Sequence, residues 1–300
     1  MKLLITGKRG QVARALAHVH DPARHQLTFL GRPEVDFARP ADLRDPVLRA
    51  APDLILSVAA ATQVDLCETE EKAAFAINAD APDVLARAAA ELGIPIIHLS
   101  TDYVFDGGKR TPYIESDATH PVNIYGRSKL AGEAAVAAAT ERHVILRVTW
   151  VYSIFAANFI KVMLNQALTL PEVSIVDDQI ACPTSGLDLA TGLFAMAEKL
   201  AVMRDPKLYG VFHGAGVTPV DRYSFALSAL TTAARLGHPM PLLRRAKSAD
   251  LYRGAARPPY SVLNSGKLAS VYGIAIPGWQ DALEGVVTAI LAASAREREV

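Results

Sequence analysis

The sequence contains little cysteine and no excess of either charge, and each shortage argues against a class of protein. Its two cysteines, Cys67 and Cys182, lie far apart and match neither a disulfide framework nor a metal spacing. We therefore expect a reducing, cytoplasmic setting. Lysine plus arginine equals aspartate plus glutamate at 31 each, so charge alone favours no polyanion-binding surface. Nucleic acid is not expected as a partner.

Long apolar runs are also missing. No stretch reaches the roughly 18 apolar residues of a membrane-spanning helix, and the start, MKLLITG, is too short in apolar residues for a signal peptide. We therefore expect no membrane partner. What the chain does contain is 51% hydrophobic and 21% charged residues, which is typical of a globular protein with a sizeable core.

Short apolar runs alternate with helix-compatible stretches through the first half of the chain. The apolar runs are LLIT (3–6), LTFL (27–30), LILSVAA (54–60), IPIIHLS (94–100) and VILRV (144–148). The stretches between them cover 11–19, 40–51, 78–93 and 125–139. Strands that are apolar throughout are typical of parallel sheets with helices on both faces. The sequence predicts an α/β fold, a Rossmann-like doubly wound parallel sheet that binds ligands outside the carboxyl ends of its strands.

The alternation of apolar runs and helix-compatible stretches changes near residue 150, where prolines become more frequent. We predict a dinucleotide-binding domain over 1–150 and a smaller, partly helical substrate-binding lobe over 151–300. Helix-like segments in this second part cover 158–168, 186–202, 221–236 and 279–295. Some of them, such as 186–202, are expected to pack back on the first domain.

A glycine loop, GKRGQVA at 7–13, lies between the first apolar run and the first helix-like stretch. Gly7 and Gly10 permit a tight turn in which backbone N–H groups approach a pyrophosphate. The helix N-terminus adds partial positive charge. Two glycines alone are a weak pattern that also suits a packing turn, but the place of this loop favours a dinucleotide site.

The end of the second apolar run bears on which dinucleotide binds. An acidic residue usually contacts the ribose of NAD there, whereas this run ends in Gly31 and Arg32. Together with Arg9 in the glycine loop, Arg32 would suit a 2′-phosphate. We favour NADPH, with NADH as a tolerated alternative, although both arginines could also be solvated surface residues. Asp36 and Phe37 are candidates to flank the adenine.

Small residues end the third apolar run. Ala59, Ala60 and Ala61 leave room for a flat ligand at the sheet edge, although an alanine-rich core would give the same pattern.

A hydroxyl, a phenol and an ammonium group are the candidate catalytic set. Tyr125 and Lys129 are four residues apart on a predicted helix and share one face. A nearby ammonium group lowers the pKa of a phenol from its usual value of about 10. Thr101 ends the fourth strand, where it can orient the same substrate oxygen. The set suits carbonyl reduction, whereas His98, inside that strand, is interpreted as a packed core residue.

Several motifs carry a resemblance to a known family. GxxGxxA at 7–13, STDYVFDG at 100–107 and YGRSKLAGE at 125–133 resemble the extended short-chain dehydrogenase/reductases. Later motifs resemble the dTDP-4-dehydrorhamnose reductase family in particular: LRVTWVYS (146–153), NFIKVML (158–164), VDDQIACPT (176–184), GVFHGAG (210–216) and RPPYSVLNSGKL (257–268). The resemblance implies reduction of the C4 ketone of dTDP-4-dehydro-L-rhamnose, with Tyr125 as proton donor.

The resemblance also implies contacts for further residues. Gly10, Gln11 and Val12 would contact the cofactor pyrophosphate, and Ala59 to Ala61 would lie on its far ribose side. Lys129 would support Tyr125, and it can also reach the nicotinamide ribose hydroxyls. Contacts to the substrate are implied for Thr101, Asp102, Trp150, Asn158, Gln179 and Arg257.

Two other functions stay open. The chain could be a reductase or epimerase acting on another nucleotide sugar, or an NADP-binding regulatory subunit without turnover. No metal site is predicted, and a magnesium requirement stays undecided because no carboxylate cluster can be assigned to it. A homodimer is a further expectation.

Overall fold

The computed structural model describes residues 1–251 and 254–298, which form an α/β fold around a parallel sheet. Its six strands follow the order β10-β5-β4-β3-β1-β2. The strands of this sheet are β1 (Lys2–Thr6), β2 (Gln26–Leu30), β3 (Leu54–Ser57), β4 (Ile96–Thr101), β5 (His143–Val148) and β10 (Gly210–His213). All five pairings between neighbours are parallel.

The remaining strands are short and form three two-stranded sheets within the described residues. They are β6 (Val151–Tyr152), β7 (Glu172–Val176), β8 (Ile180–Ala181), β9 (Thr184–Ser185), β11 (Val220–Asp221) and β12 (Leu242–Ala246). Two of these sheets, β6 with β9 and β7 with β12, are parallel, whereas β8 and β11 are antiparallel.

Helices follow or separate the strands along the chain. They are α1 (Gln11–Val19), α2 (Arg44–Ala50), α3 (Val64–Thr69), α4 (Glu71–Phe75), α5 (Ala81–Leu92), α6 (Ile124–Ala139), α7 (Phe159–Thr169), α8 (Gly186–Val202), α9 (Arg222–Arg235), α10 (Ser248–Leu251), α11 (Gly266–Tyr272) and α12 (Trp279–Arg298). Among the described residues, none of the helices has the length and apolar character needed to cross a bilayer.

Successive residues of the central strands point to opposite faces of the sheet, and both faces are buried. In β1, Leu3 and Ile5 pack in one core cluster with residues of α1 and α8, whereas Leu4 packs in another with residues of α2 and α5. This two-sided burial confirms the doubly wound parallel sheet predicted from the wholly apolar runs.

The second half of the chain builds its own core and also joins the first. Residues of α7, α9 and α12 form a separate apolar cluster around Phe225 and Trp279. Helix α8, however, packs in the cluster of the central sheet, and β10 extends that sheet beside β5. The division at residue 150 therefore stays a prediction, with two elements of the later part lying on the earlier one.

Candidate active site

A cleft of about 810 Å³ opens at the carboxyl edge of the central sheet. The strand order reverses between β1 and β3, and ligands of open α/β sheets bind at such a switch point. Most of the residues predicted as site residues line this cleft: Gly7, Arg9, Gly10, Gln11, Val12, Arg32, Asp36, Phe37, Ala59, Ala60, Thr101, Asp102, Tyr125, Lys129 and Trp150.

The glycine loop has the geometry of a pyrophosphate cradle. Gly7 has a φ of +74°, and a Cβ there would lie 2.9 Å from the Cα of Ala59, so only glycine fits without strain. Thr6 fixes the segment that faces the glycine loop, because its Oγ1 accepts hydrogen bonds from the backbone N–H groups of Val58 and Ala59, both at 2.9 Å. No side chain caps α1 after Gly10, which leaves its first N–H groups directed at the cleft for an anion. These residues fit a dinucleotide cofactor.

Gln11 links the start of α1 to the segment around β6. Its side-chain Nε2 donates to the carbonyl oxygen of Val151 at 3.2 Å, and its Oε1 accepts from the hydroxyl of Ser153 at 2.9 Å. The amide side chain is thereby used within the protein, and its backbone N–H stays at the start of α1.

Basic residues gather where β2 ends. Lys8, which was not predicted from the sequence, lies against Gly31 and donates from its Nζ to Glu34 at 2.5 Å. That hydrogen bond lowers the pKa of Glu34, and the charge of Arg9 lowers it further. Lys8, Arg9 and Arg32 all line the cleft, so positive charge exceeds negative charge at this end.

Thr101 and Tyr125 meet at the opposite end of the cleft. Thr101 is the last residue of β4, and Tyr125 lies in the first turn of α6. Asn123 caps that helix by accepting a hydrogen bond from the N–H of Gly126 at 2.7 Å. A Cβ at Gly126 would lie 2.2 Å from the carbonyl oxygen of Tyr103, so glycine allows α6 to approach the end of β4 closely.

The pKa of Tyr125 differs from the sequence prediction. Burial of the hydroxyl raises the pKa of Tyr125 above its usual value, while a hydrogen bond with Thr101 acts in the opposite direction. The predicted lowering by Lys129 is not found, because the ammonium group of Lys129 is directed at the sheet and not at the phenol. Its Nζ donates to the carbonyl oxygen of Leu99 at 2.6 Å.

His98 is the second partner of Lys129. The Nε2 of His98 lies 3.2 Å from the Nζ of Lys129, and its Nδ1 lies 3.0 Å from the hydroxyl of Ser57. Burial lowers the pKa of Lys129 to about 8, opposed by the negative charge of Glu133 one turn along α6. Burial and the charge of Lys129 lower the pKa of His98 far below its usual value, so the imidazole is neutral.

Asp102 is a buried carboxyl group beside Thr101. Its Oδ2 accepts hydrogen bonds from the hydroxyls of Thr149 at 2.8 Å and Ser261 at 2.5 Å. Burial raises the pKa of Asp102 to about 6, and the hydrogen bonds from Ser261, Thr149 and Thr101 oppose that rise. Asp102 therefore joins the end of β4 to a segment 159 residues further along the chain.

Four of the predicted residues do not line the cleft: Ala61, Asn158, Gln179 and Arg257. Ala61 exchanges hydrogen bonds with the side chain of Asn78 through its backbone. Asn158 caps α7, since its Oδ1 accepts from the N–H of Lys161 at 3.3 Å.

The other two residues hold loops together. Gln179 donates to the hydroxyl of Ser248 at 2.9 Å, and Arg257 forms a bidentate ion pair with Asp65 at 2.9 and 2.6 Å. Any contact of these residues with a ligand stays a prediction.

Arg222 is a cleft residue that the sequence did not reveal. Its guanidinium lies 3.8 Å from the ring centre of Trp150 and 4.7 Å from that of Phe159, so it stacks on two aromatic residues. Trp150 itself has a φ of +41°. The one signal in the sequence is the position of Arg222 directly after Asp221, which caps α9. Nothing in the pattern connects that helix start with Trp150.

In the part of the chain that the structure describes, no group of three or more histidine, cysteine, aspartate or glutamate side chains could hold a metal ion. Whether the protein requires magnesium therefore stays undecided, as in the sequence analysis.

Comparisons with known proteins agree on one family. Residues 1–292 match the family model described as RmlD substrate binding domain. A dTDP-4-dehydrorhamnose reductase of Sinorhizobium fredii is 42% identical over 291 residues, which cover 97% of this chain and 98% of that protein.

Solved structures give the same result. A dTDP-4-dehydrorhamnose reductase of Clostridium acetobutylicum is 30% identical, with a TM-score of 0.89 over 97% of this chain and 100% of that one. A dTDP-4-dehydrorhamnose reductase of Bacillus anthracis, solved in complex with NADP, is 28% identical, with a TM-score of 0.86 over 95% of this chain and 98% of that one.

Proposed function

The chain belongs to the dTDP-4-dehydrorhamnose reductase family, and we propose that it reduces the C4 ketone of dTDP-4-dehydro-L-rhamnose to give dTDP-L-rhamnose. The observation that carries this proposal is the meeting of Thr101, Tyr125 and Lys129 in the same cleft as the glycine loop. A bound dinucleotide and a carbonyl beside these side chains would lie in one cleft.

Tyr125 acts as the general acid in this proposal. A reduced nicotinamide, when bound, supplies the hydride to C4. Because burial raises the pKa of Tyr125, its phenol keeps its proton at neutral pH and can donate it to the oxygen at C4. An alkoxide is a far stronger base than a phenolate, so this transfer is favourable although the pKa is raised.

Thr101 and Lys129 assist that proton transfer. The hydroxyl of Thr101 hydrogen-bonds with Tyr125 and can orient the same substrate oxygen. Lys129 carries a positive charge below its pKa of about 8. Because two of its N–H groups bond to the sheet, its support for the phenolate that remains after transfer would act through its charge and not through a direct hydrogen bond. Asp102 and Trp150 would hold the sugar beside these side chains.

NADPH is the proposed cofactor, with NADH accepted less well. The cations Lys8, Arg9 and Arg32 line the cleft end at which β2 stops, where the adenosine ribose of a dinucleotide lies in this kind of fold. Glu34 neutralises part of that charge through Lys8. A 2′-phosphate would find two guanidinium groups there, and the Bacillus anthracis relative is itself described in complex with NADP.

An epimerase function receives less support from the same residues. Epimerisation at the carbon next to a ketone needs a basic side chain that can give up its own proton near neutral pH. Cys182 is buried, and burial raises the pKa of its thiol to about 12. Tyr125 and Lys129 both line the cleft, which favours turnover over a purely regulatory role.

The test is an absorbance assay of reduced-nicotinamide consumption with dTDP-4-dehydro-L-rhamnose and either NADPH or NADH. Tyr125→Phe should lower kcat by about 10²–10⁴-fold, the usual contribution of a general acid, with the affinity for NADPH unchanged. Tyr103→Phe is a matched control, because its ring packs edge-on against Tyr125 at 5.6 Å. Equal rates for wild type and Tyr125→Phe would remove Tyr125 as the acid. No consumption by the wild type with either cofactor would favour the regulatory subunit.

A further inference from the structure

Two acceptors on strand β4 bind the ammonium group of Lys129 on the side that faces the sheet. Lys129 is 2% exposed, and its Nζ contacts the carbonyl oxygen of Leu99 at 2.6 Å and the Nε2 of His98 at 3.2 Å. An ammonium group has three N–H donors and no acceptor. With two donors used by the sheet, one N–H is left for the cleft that Lys129 lines.

The hydrogen bonds fix the protonation of His98. Since Lys129 can only donate, Nε2 of His98 must accept, and the proton of the neutral ring lies on Nδ1. That Nδ1 then donates to the hydroxyl oxygen of Ser57, 3.0 Å away on β3. Ser57 and His98 are both fully buried, so water does not compete for these bonds.

We propose that His98, whose Nδ1–H is bonded to Ser57, is a positioning residue that keeps Lys129 charged and directs its free N–H into the cleft where the cofactor would bind. The proposal rests on the proposed function for the identity of the cofactor. It assigns no proton transfer to His98 itself. A ring of fixed orientation keeps one N–H of Lys129 pointing into the cleft at every pH at which the lysine is charged.

Other charged groups around Lys129 do not replace His98. Glu133 is on the same helix and its charge raises the pKa of Lys129, but both of its oxygens are bonded to Arg147. Asp102 interacts electrostatically with Tyr125, and its Oδ2 accepts from Thr149 and Ser261 and not from Lys129. Within the described residues, His98 and the carbonyl of Leu99 are therefore the acceptors that Lys129 contacts directly.

The experiment measures NADPH affinity by nicotinamide fluorescence between about pH 6 and pH 10, across the range in which a lysine with lowered pKa titrates. In the wild type, affinity should fall as the pH rises through about 8, where Lys129 loses its charge. In His98→Leu the fall should begin about one pH unit lower, since one hydrogen bond to a charged group is lost. His98→Gln offers an amide oxygen near the position of Nε2 and should restore the wild-type curve.

Two further variants separate positioning from folding. Ser57→Ala removes the acceptor of the Nδ1–H of His98, which leaves a buried donor unpaired and the ring less firmly held, and should shift the curve in the same direction by a smaller amount. His213→Leu replaces another fully buried histidine outside the cleft and should leave the curve unchanged. A folded His98→Leu with the wild-type curve would overturn the proposal, and so would an unshifted Ser57→Ala if His98→Leu fails to fold. Because the readout is cofactor binding, absence of turnover with the sugar would count against the proposed function alone.

Discussion

Replacing Glu133 by glutamine would leave a buried guanidinium without a counter-charge. Glu133 and Arg147 form a bidentate ion pair at 2.9 and 2.7 Å, and each side chain is 5% exposed. Oε1 of Glu133 also accepts from the hydroxyl of Ser100 at 2.5 Å. In the variant an amide NH₂ would take the place of one carboxylate oxygen. If the new oxygen kept the Ser100 side, the NH₂ would face an N–H donor of Arg147.

The size of the effect follows from burial. Removing one partner of a buried ion pair costs about 3–5 kcal/mol, because the remaining charge stays desolvated. A protein of this kind is stable by about 5–15 kcal/mol in total, so Glu133→Gln should lose about a fifth or more of its free energy of unfolding. The ring of Phe105, 5.1 Å from the guanidinium, offsets part of the loss through a cation–π contact.

Urea titration followed by circular dichroism measures this free energy, and an exposed pair supplies the control. Arg44 and Glu91 are joined at 2.8 Å but are 53% and 48% exposed, so Glu91→Gln should cost less than about 1 kcal/mol. The double variant Glu133→Leu with Arg147→Met should recover most of the stability lost in the single variant. A loss for Glu133→Gln no larger than that for Glu91→Gln would refute the reasoning.

Three further predictions concern the cleft and the helix that carries Tyr125. Gly126→Ala should destabilise the protein by about 1–3 kcal/mol in the same titration, because its Cβ would overlap a backbone oxygen. The control is Gly285→Ala, which has open space around it and should be neutral or stabilising. Arg222→Ala should raise KM for the nucleotide sugar about tenfold, one lost charged contact, with NADPH affinity unchanged; an unchanged KM would exclude Arg222 from substrate binding. Arg9→Gln with Arg32→Gln should lower the preference for NADPH over NADH by about fivefold or more, measured as the ratio of the two kcat/KM values, and an unaltered ratio would make them surface residues.

The sheet was predictable where burial acts on both faces of a strand. Runs such as LLIT and LILSVAA are apolar at all but one position, and they form β1 and β3 inside the sheet. Strand β10 was not predicted, because GVFH is four residues long and two of them are partly exposed at the sheet edge. Helices α3 and α4 were also not predicted, since the segment DLCETEEKAAF is polar and lacks a clear helical stripe.

The candidate site was predictable where a residue's place follows from its own strand or helix. The glycine loop, Thr101 and the pair Tyr125–Lys129 all line the cleft because each lies at a fixed point of a strand end or helix start. Arg222 could not be predicted, because its place depends on stacking against Trp150, a residue 72 positions earlier in the chain. The pattern of one segment contains no information about such a contact.

Lys129 shows where spacing stops being informative. Four residues along a helix put Lys129 and Tyr125 on one face, and that placement is what the cleft requires. The direction of the ammonium group is decided by acceptors on β4, since a buried cation must satisfy its N–H groups with whatever oxygen or nitrogen lies within reach. The carbonyl of Leu99 and the ring of His98 supply those acceptors. A helix spacing therefore predicts which residues share a site, whereas the pKa of each depends on neighbours that only the folded sheet brings together.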